Sequence, residues 1–292
     1  MNFQGKIDLH MHTTVSDGTD TPEEIVSRVR EAGIVLFSVT DHDDIKAAKI
    51  IPKLLSGCGP FFVSGVEFSC RDSSGKYHIL GYNYDPKSRH IRRLVKKGHR
   101  FRIKKVKARI DFLKKSFGFR FPKEELDALF ALNNPGKPHI ANMMVRLGYA
   151  KDKSDAINNY INLIHFKEEY VTPGEAIKGI LKSGGIPVLA HPFYGDGDDL
   201  ILGDEMEARV IRLKGLGLKG LEAFYSGFTP RLIMDTISLA ERHGLYVTAG
   251  SDYHGKNKMV VLGDTNLSED DGLPEGLERF LEEIKETGRA GF

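Results

Sequence analysis

The segment that decides the fold reads Lys6-Ile7-Asp8-Leu9-His10-Met11-His12. Apolar side chains alternate strictly with polar ones, and a period of two predicts a β-strand. Ile7, Leu9 and Met11 form one face of this strand. The other face carries His10 and His12, so both imidazoles point to the same place. We therefore expect a half-buried strand that presents a pair of candidate metal ligands.

Strand and helix patterns continue along the chain. Asp20 or Thr21 can cap a helix that starts at Pro22 and ends at Gly33. Further strands are predicted at 34–40, 61–67, 77–82, 186–191, 220–225 and 245–250, and further helices at 176–183 and 231–243. Alternating strands and helices predict a parallel sheet, and seven or so strands fit an α/β fold of the irregular (β/α)7 barrel type.

Residues 88–170 interrupt this alternation with helical patterns only. An apolar stripe recurs mostly at spacings of three, four and seven, at Ile91, Leu94, Val95, Val106, Ile110, Leu113 and Phe117. Two more helices are predicted to open near Pro122 and Pro138. The expected organisation is a barrel domain made of residues 1–87 and 171–292, with 88–170 as a helical insertion that caps the substrate.

Charge and composition narrow the function. The 292 residues carry a net charge of only +2, and the apolar runs fall short of the roughly 20 residues of a membrane span. We expect a cytoplasmic protein without a signal peptide, with Cys58 and Cys70 as free thiols. Within 88–123 there are fifteen Lys and Arg against one acid, Asp111. This excess indicates either a solvated helix face or a nearby anionic substrate or nucleic acid.

Six of the eleven histidines lie in short clusters, and a carboxylate lies within or near each cluster. Each cluster alone has an ordinary explanation; Asp41, for example, could simply cap a helix. Glu67 follows an apolar strand, where an unpaired carboxylate would be costly. Neutral imidazole and carboxylate are ligands of zinc, manganese and iron, and together the clusters predict a multi-metal hydrolase. They read Asp8-Leu9-His10-Met11-His12, Asp17-Gly18, Thr40-Asp41-His42, Gly65-Val66-Glu67, Tyr77-His78, Ala190-His191-Pro192 and Ser251-Asp252-Tyr253-His254.

These motifs, in this order, resemble the signature of the PHP superfamily, named for polymerase and histidinol phosphatase. The resemblance covers nearly the whole chain. Within the superfamily the chain looks like the stand-alone bacterial members with a helical insertion, which act as phosphatases on nucleoside monophosphates and 3′,5′-bisphosphates or as 5′-to-3′ exoribonucleases. The stretch Lys137-Pro138-His139-Ile140-Ala141 is similar to the Arg-Pro-His stretch of that group. Lysine replaces arginine here, which turns a bidentate phosphate clamp into a point charge.

The resemblance implies a site for two to three divalent ions of manganese, iron or zinc. His10, His12 and Asp252 would hold the first ion, and Glu67 would bridge it to the second. His78 and His191 would complete the second ion, whereas Asp17, His42 and His254 would hold the third.

A metal-dependent phosphatase follows as the expected function, with a small phosphorylated substrate such as a nucleotide. A hydroxide shared by two ions would attack phosphorus, because metal binding lowers the pKa of water towards about 7. The expected catalytic residues are Glu67, His191, Asp252 and His254, although His191 or His254 could donate a proton only if free of metal. The expected phosphate contacts are Arg100, Arg102, Lys137, His139 and Arg231.

Alternatives remain open at this stage. Short RNA or DNA oligonucleotides could be substrates of an exoribonuclease, and histidinol phosphate or a sugar phosphate could replace the nucleotide. The chain could also be a nucleic-acid-binding module with structural metals, but such sites usually close with cysteine. A C–N amidohydrolase would be expected to bridge its metals through a modified lysine, where this chain has Glu67.

Overall fold

The computed structural model describes residues 5–55, 59–166, 169–195, 200–268 and 272–287. Its strands are β1 (Lys6–Asp8), β2 (Ile34–Phe37), β3 (Phe61–Phe62), β4 (Gly65–Asp72), β5 (Gly75–Tyr82), β6 (Ile186–Leu189), β7 (Gly220–Tyr225) and β8 (Tyr246–Gly250). Its helices are α1 (Pro22–Glu31), α2 (Ala47–Leu55), α3 (Arg89–Phe117), α4 (Lys123–Ala131), α5 (Lys137–Arg146), α6 (Lys153–Asn159), α7 (Pro173–Leu181), α8 (Gly203–Gly215), α9 (Pro230–Arg242) and α10 (Glu275–Glu286), with 3₁₀ turns at Ile161–Leu163 and Gly255–Asn257.

The strands form two sheets. The first has the parallel order β1-β2-β3, and the second has the order β4-β5-β6-β7-β8. Strand β5 runs antiparallel to both β4 and β6, whereas β6, β7 and β8 are parallel. The expectation of a wholly parallel sheet was therefore wrong, because β4 and β5 form a hairpin around the turn at residues 73–74.

Backbone hydrogen bonds connect the two sheets at the end of β1. The amide of Leu9 donates to the carbonyl of Ala249 over 2.9 Å, and the amide of His12 donates to Tyr253 over 2.8 Å. Strand β1 is thus shorter than the predicted strand 6–12, but the chain beyond it stays extended beside β8. A parallel bridge between His42 and Glu67 makes a second link.

The predicted strand 61–67 is in fact two strands in different sheets. The amide of Val63 still bonds to Phe37 of the first sheet, whereas the carbonyl of Ser64 accepts from Asn83 after β5. Glu67 consequently does not end a strand. It is the third residue of β4, which continues to Asp72.

Helix α1 begins and ends close to where the sequence predicts. Thr21 is the N-cap, and it forms a capping box with Glu24 in which each side chain bonds the other residue's backbone. The chain leaves the helix through Gly33, whose φ of 69° suits a residue without a Cβ. Helices α7 and α9 match the predictions at 176–183 and 231–243 to within a few residues, but α2, α8 and α10 were not predicted.

Helices, and no strand, occupy the described residues of 88–166. Helices α3 to α6 share an apolar cluster that includes Val106, Ile140 and Met144 and contains no residue of the two sheets. The main core lies across both sheets and under α7, α9 and α10, and a smaller one packs α1 and α2 on the first sheet. Among the described helices, none combines the length and apolar character that crossing a bilayer requires. Buried Cys70 is a free thiol, as expected, and Cys58 lies outside the described residues.

Candidate metal centre

The carboxylate of Glu67 lies among five imidazoles from four segments of the chain. Its Oε2 is 3.4 Å from Nε2 of His10, 3.2 Å from Nε2 of His12 and 3.1 Å from Nδ1 of His42. Its Oε1 is 2.8 Å from Nδ1 of His78 and 3.4 Å from Nε2 of His191. One buried carboxylate therefore faces two groups of histidines, one group at each oxygen.

The antiparallel direction of β5 explains how His78 reaches this place. His78 lies in the first half of β5, and its carbonyl accepts a hydrogen bond from Ala190, just after β6. His78 and His191 therefore meet at the same edge, with their ring nitrogens Nδ1 and Nε2 3.2 Å apart. Had β5 been parallel, its N-terminal half would lie at the opposite edge of the sheet.

A second group of ligand-type atoms surrounds Asp17. Its Oδ1 is 3.4 Å from Nε2 of His254 and 3.8 Å from Nδ1 of His12, and its Oδ2 is 3.9 Å from Nε2 of His42. The rings of His12 and His254 are stacked, with centroids 4.1 Å apart.

Asp252 connects these groups. Its Oδ1 is 3.4 Å from Nε2 of His10, 3.3 Å from Nε2 of His12 and 3.5 Å from Nδ1 of His254. Three sets of residues are close enough to hold a metal ion: His10-His12-Glu67, Glu67-His78-His191 and His12-Asp17-His42-His254. All nine expected ligands are thus in one contiguous place, but His12 faces the Asp17 group as well as Glu67.

The donor atoms of this site fit metal ions. Within the described ranges, several buried ligand atoms make no hydrogen bond, among them Nε2 of His10 and of His12, Nδ1 of His42, Oδ1 of Asp17 and Oε1 of Glu67. A buried polar atom without a partner is costly. Imidazole and carboxylate without thiolate suit manganese, iron or zinc.

Electrostatics indicate that the carboxylates draw positive charge into the site. Burial alone would raise the pKa of the Glu67 carboxyl, but His42, His78 and His10 hold it well below its usual value. Burial alone would lower the pKa of His12, yet the nearby carboxylates of Asp252 and Glu67 raise it to about 9. Either protons or metal cations can supply this positive charge. Metal binding requires the imidazoles in their neutral, deprotonated form.

Buried acids outside the ligand set hold the surrounding loops. Asp41 accepts from the amide and hydroxyl of Thr13, each over 2.8 Å, and from the hydroxyl of Ser16 over 2.7 Å. Asp8 accepts from the amide and hydroxyl of Ser251 over 2.9 and 2.6 Å, and from the amide of Gly263 over 2.9 Å. These bonds fix the loops that carry His12, Asp17 and Asp252.

Glu222 on β7 supports two candidate ligands at once, and sequence reasoning missed it. Its Oε1 is 2.8 Å from Nδ1 of His10, and its Oε2 accepts from the amide of His191 over 2.8 Å. A bulge in the pairing of β7 with β8 follows directly after Glu222. The available signal was a lone carboxylate inside the apolar stretch Gly220-Leu221-Glu222-Ala223-Phe224-Tyr225.

Tyr225 and Lys258 support Asp252 in a similar way. The Tyr225 hydroxyl donates to Oδ2 of Asp252 over 3.0 Å, and the Lys258 ammonium donates to the same oxygen. This leaves Oδ1 of Asp252 directed at the histidines. Neither residue had been assigned a role from the sequence.

Two candidate ligands that lie just after β6 and β8 have strained backbone conformations. His191 has a φ of 27° and Asp252 one of 57°, values that non-glycine residues rarely adopt. Gly250 is required by close packing, since a Cβ there would lie 2.2 Å from Cβ of His10 and 2.5 Å from Oε1 of Glu222. Residues at strand ends are therefore held in costly conformations around one point.

The predicted phosphate contacts separate into two sets. Arg102 donates to Asp43 through Nε over 3.3 Å and Nη2 over 2.8 Å, and its charge acts on Asp17 and Glu67. His139 also lies within electrostatic range of Asp17, and burial lowers the pKa of its imidazole. These two side chains are near the candidate metal centre.

Arg100 and Arg231 are placed elsewhere. Arg100 lines a groove between α3 and α7, and Arg231 is exposed on α9 with its Nε 3.9 Å from Asp235. Lys137 donates to Asn162 over 2.7 Å. Lys153, which had no predicted role, reaches Asn257 over 2.7 Å, and Asn257 in turn donates to the carbonyl of Asp17 over 2.6 Å.

Mixed α/β topology, together with a buried centre of imidazoles and carboxylates, defines a metal-dependent hydrolase. The chain belongs to the PHP domain family, whose match covers residues 8–173. A 5′-3′ exoribonuclease of Haemophilus influenzae is 27% identical over 261 residues, which are 88% of this chain and 93% of that protein. A 3′,5′-nucleoside bisphosphate phosphatase of Chromobacterium violaceum is 27% identical over 279 residues, 92% of each chain.

The fold agrees with the same family. A crystal structure of a metal-dependent phosphoesterase from Bifidobacterium adolescentis superposes with a TM-score of 0.80 at 27% identity, covering 95% of this chain and 96% of that one. The resemblance inferred from the sequence motifs is thereby confirmed, as is the expectation of a hydrolase. The protein is a PHP-domain metal-dependent phosphoesterase.

Proposed function

We propose that the protein hydrolyses phosphate esters of nucleotides, with a nucleoside monophosphate or a 3′,5′-bisphosphate as substrate. The observation that carries this proposal is the single carboxylate of Glu67 shared by two groups of imidazoles. Two adjacent metal positions joined by a bridge are typical of phosphoester hydrolysis. The bisphosphate phosphatase of Chromobacterium violaceum, alike over nearly its whole length, supports the choice of substrate.

The ligand assignment expected from the family is retained in this proposal. His10, His12 and Asp252 would hold one ion. Glu67 would bridge it to a second ion, whose remaining ligands would be His78 and His191. Asp17, His42 and His254 would hold a third. When bound, two or three manganese, iron or zinc ions would supply Lewis acidity towards the phosphoryl oxygens and a nucleophile at neutral pH.

The protein's own cations would orient the phosphate. The guanidinium of Arg102 has five N–H donors, and Asp43 and Ser69 accept from Nε and Nη2. Its Nη1 group then remains for a phosphoryl oxygen. The amide of Gly136 donates to Nδ1 of His139 over 3.0 Å, which leaves the proton on Nε2 as a second donor. Lys153 would add a second positive charge, besides that of Arg102, near Asp17.

Residues 88–170 would act as a cap over this centre, inserted into a barrel made of 1–87 and 171–292. Three contacts support the cap: Arg102 with Asp43, Asn134 with the carbonyl of His42, and Lys153 with Asn257. The barrel itself is proposed as an irregular one of the (β/α)7 type, in which the hydrogen bonds between β1 and β8 help to join the two sheets.

A second candidate activity is 5′-to-3′ hydrolysis of short oligonucleotides. The relative named as an exoribonuclease and the basic character of α3 favour it. The two activities would share one centre and differ in the ester cleaved, which is a terminal phosphate monoester in one case and a phosphodiester of a chain in the other.

Phosphate and nucleotide release by the manganese-loaded protein would test both candidates. We would compare mononucleotides, 3′,5′-bisphosphates and 5′-phosphorylated oligonucleotides, with a chromogenic phosphodiester and a cyclic amide as class controls. Release of phosphate from nucleotides, absent in Glu67→Gln, is the expected result. Turnover of the cyclic amide alone would contradict the proposal and favour an amidohydrolase.

A further inference from the structure

A long basic groove lies between α3 and α7, apart from the candidate metal centre. It has a volume of about 1100 Å³. Its floor is apolar, with Leu94 and Ile103 of α3 facing Gly179 of α7, and the imidazoles of His90 and His99 also line it. The nine candidate ligands and Glu222 are not among its lining residues.

Basic side chains form both walls. On α3 they recur every three or four residues, so they lie on one face of the helix: Arg93, Lys96, Lys97, Arg100, Lys104 and Lys107. From the first to the last, this stripe is about 21 Å long at 1.5 Å per residue. Lys178 and Lys182 of α7 form the opposite wall.

Little of this charge is neutralised inside the protein. Glu175 is the one acid among the lining residues, and it pairs with Lys97 while also capping α7. Lys104 pairs with Glu169 over 2.5 Å. In the described part of the chain, no ion pair involves Lys96, Lys107 or Lys182. A row of unpaired like charges repels itself and attracts a polyanion.

Helix geometry separates this groove from the candidate metal centre. Arg100 and Arg102 are two residues apart, which is about 200° around a helix of 3.6 residues per turn. Arg102 and Gly98 face Asp43, beside the centre, whereas Arg100 faces the groove. One helix thus presents two surfaces of different chemistry.

We propose that this groove binds the phosphate backbone of a single-stranded nucleic acid, at a site distinct from the metal centre. Proteins that bind single strands without sequence preference combine a positive groove with flat or apolar surfaces for the bases. The stripe is long enough for several successive phosphates. Ile103 and the two histidine rings offer contact surfaces for bases. The proposal does not depend on which ester the metal centre cleaves.

Two matched variants test the groove. The groove variant carries Lys96→Glu, Lys107→Glu and Lys182→Glu, all exposed side chains of its walls. The control variant carries Lys114→Glu, Lys115→Glu and Arg120→Glu, which are exposed, change the net charge equally and do not line the groove. Fluorescence anisotropy would measure binding of the metal-loaded proteins to hydrolysis-resistant phosphorothioate RNA and DNA strands of about 12 nucleotides.

The groove variant should lose affinity by on the order of tenfold or more, and its salt dependence should weaken by about 2 in log–log slope for three lost phosphate contacts. The control variant should bind like the wild type. Phosphate release from a mononucleotide should be unchanged in both, which also shows that both are folded. If the charge reversals impair folding, the corresponding glutamine substitutions replace them.

Several results would overturn the proposal. Equal losses in both variants would indicate a general charge effect, and no loss in either would leave the groove without a role in binding. Groove-dependent binding of an acidic peptide or of anionic lipid vesicles, without binding of the oligonucleotide, would assign the groove to another partner.

Discussion

Replacing Glu222 by glutamine tests whether this buried carboxylate sets up the metal centre. Glu222 is fully buried, and each of its oxygens accepts one hydrogen bond, from the ring of His10 and from the amide of His191. Nε2 of His10 faces Glu67 and Asp252, so its Nδ1 carries the proton that Glu222 accepts. Two donors therefore require two acceptors.

A glutamine side chain has the same shape but only one acceptor. Whichever way its amide turns, an NH₂ group meets either His10 or the backbone of His191. A buried donor left without an acceptor costs about 1–3 kcal/mol. If this cost falls on the metal-loaded state, it corresponds to roughly 5- to 150-fold in affinity or rate. Outer partners of metal-bound histidines typically contribute about 10- to 100-fold, which agrees with this range.

Metal affinity, measured by competition with a chromogenic chelator, and kcat/KM on a nucleotide should therefore both fall in Glu222→Gln. Glu283→Gln, on α10 and outside the centre, is the matched control and should change neither quantity. Wild-type metal affinity together with wild-type kcat/KM would refute the reasoning. The reasoning would also be refuted if activity fell only in proportion to the amount of folded protein, while the folded fraction kept its wild-type metal affinity.

Three further predictions concern the same centre. Elemental analysis of protein purified without chelators should find more than one transition-metal equivalent per chain, and one ion or none would contradict a multinuclear site. Glu67→Gln should nearly abolish turnover while circular dichroism shows a native fold; near-normal activity would mean that this carboxylate does not bridge. Arg102→Lys should raise KM for nucleotides on the order of tenfold because the planar fork is lost, whereas Arg100→Lys should not; equal effects in steady-state kinetics would place both side chains at one site.

The period-two pattern explains why so much of the centre could be read from the sequence. His10 and His12 stand on one face of an extended segment, and the ends of β6 and β8 deliver His191 and Asp252. The alternation decides on which face of the strand a side chain lies. A position at the end of a strand decides where along the strand direction it lies. Glu222 carries the same signal as Glu67, a carboxylate inside an apolar strand. It was missed because no histidine lies beside it in sequence.

Strand direction was the part that the pattern could not supply. A buried strand reads the same whether it runs parallel or antiparallel, so the direction of β5 had to come from the turn before it. That turn contains Ser74-Gly75, a pair typical of tight turns between strands. Reading it as a hairpin would have placed His78 beside Ser69, where the structure has it.

The two roles assigned to α3 follow from its length and its charge pattern together. A helix of 29 residues makes eight turns. Because basic residues recur at nearly every third or fourth position along it, the helix cannot keep all of its charges near one centre. Gly98 allows the helix to approach Asp43 closely, since a Cβ there would lie 2.8 Å from a carboxylate oxygen. That approach brings Arg102 to the metal centre and turns the stripe from Arg93 to Lys107 the other way, towards α7. Six of the fifteen basic residues counted between 88 and 123 therefore line the groove, and of this helix Arg102 is the one that we propose to meet a phosphate at the candidate metal centre.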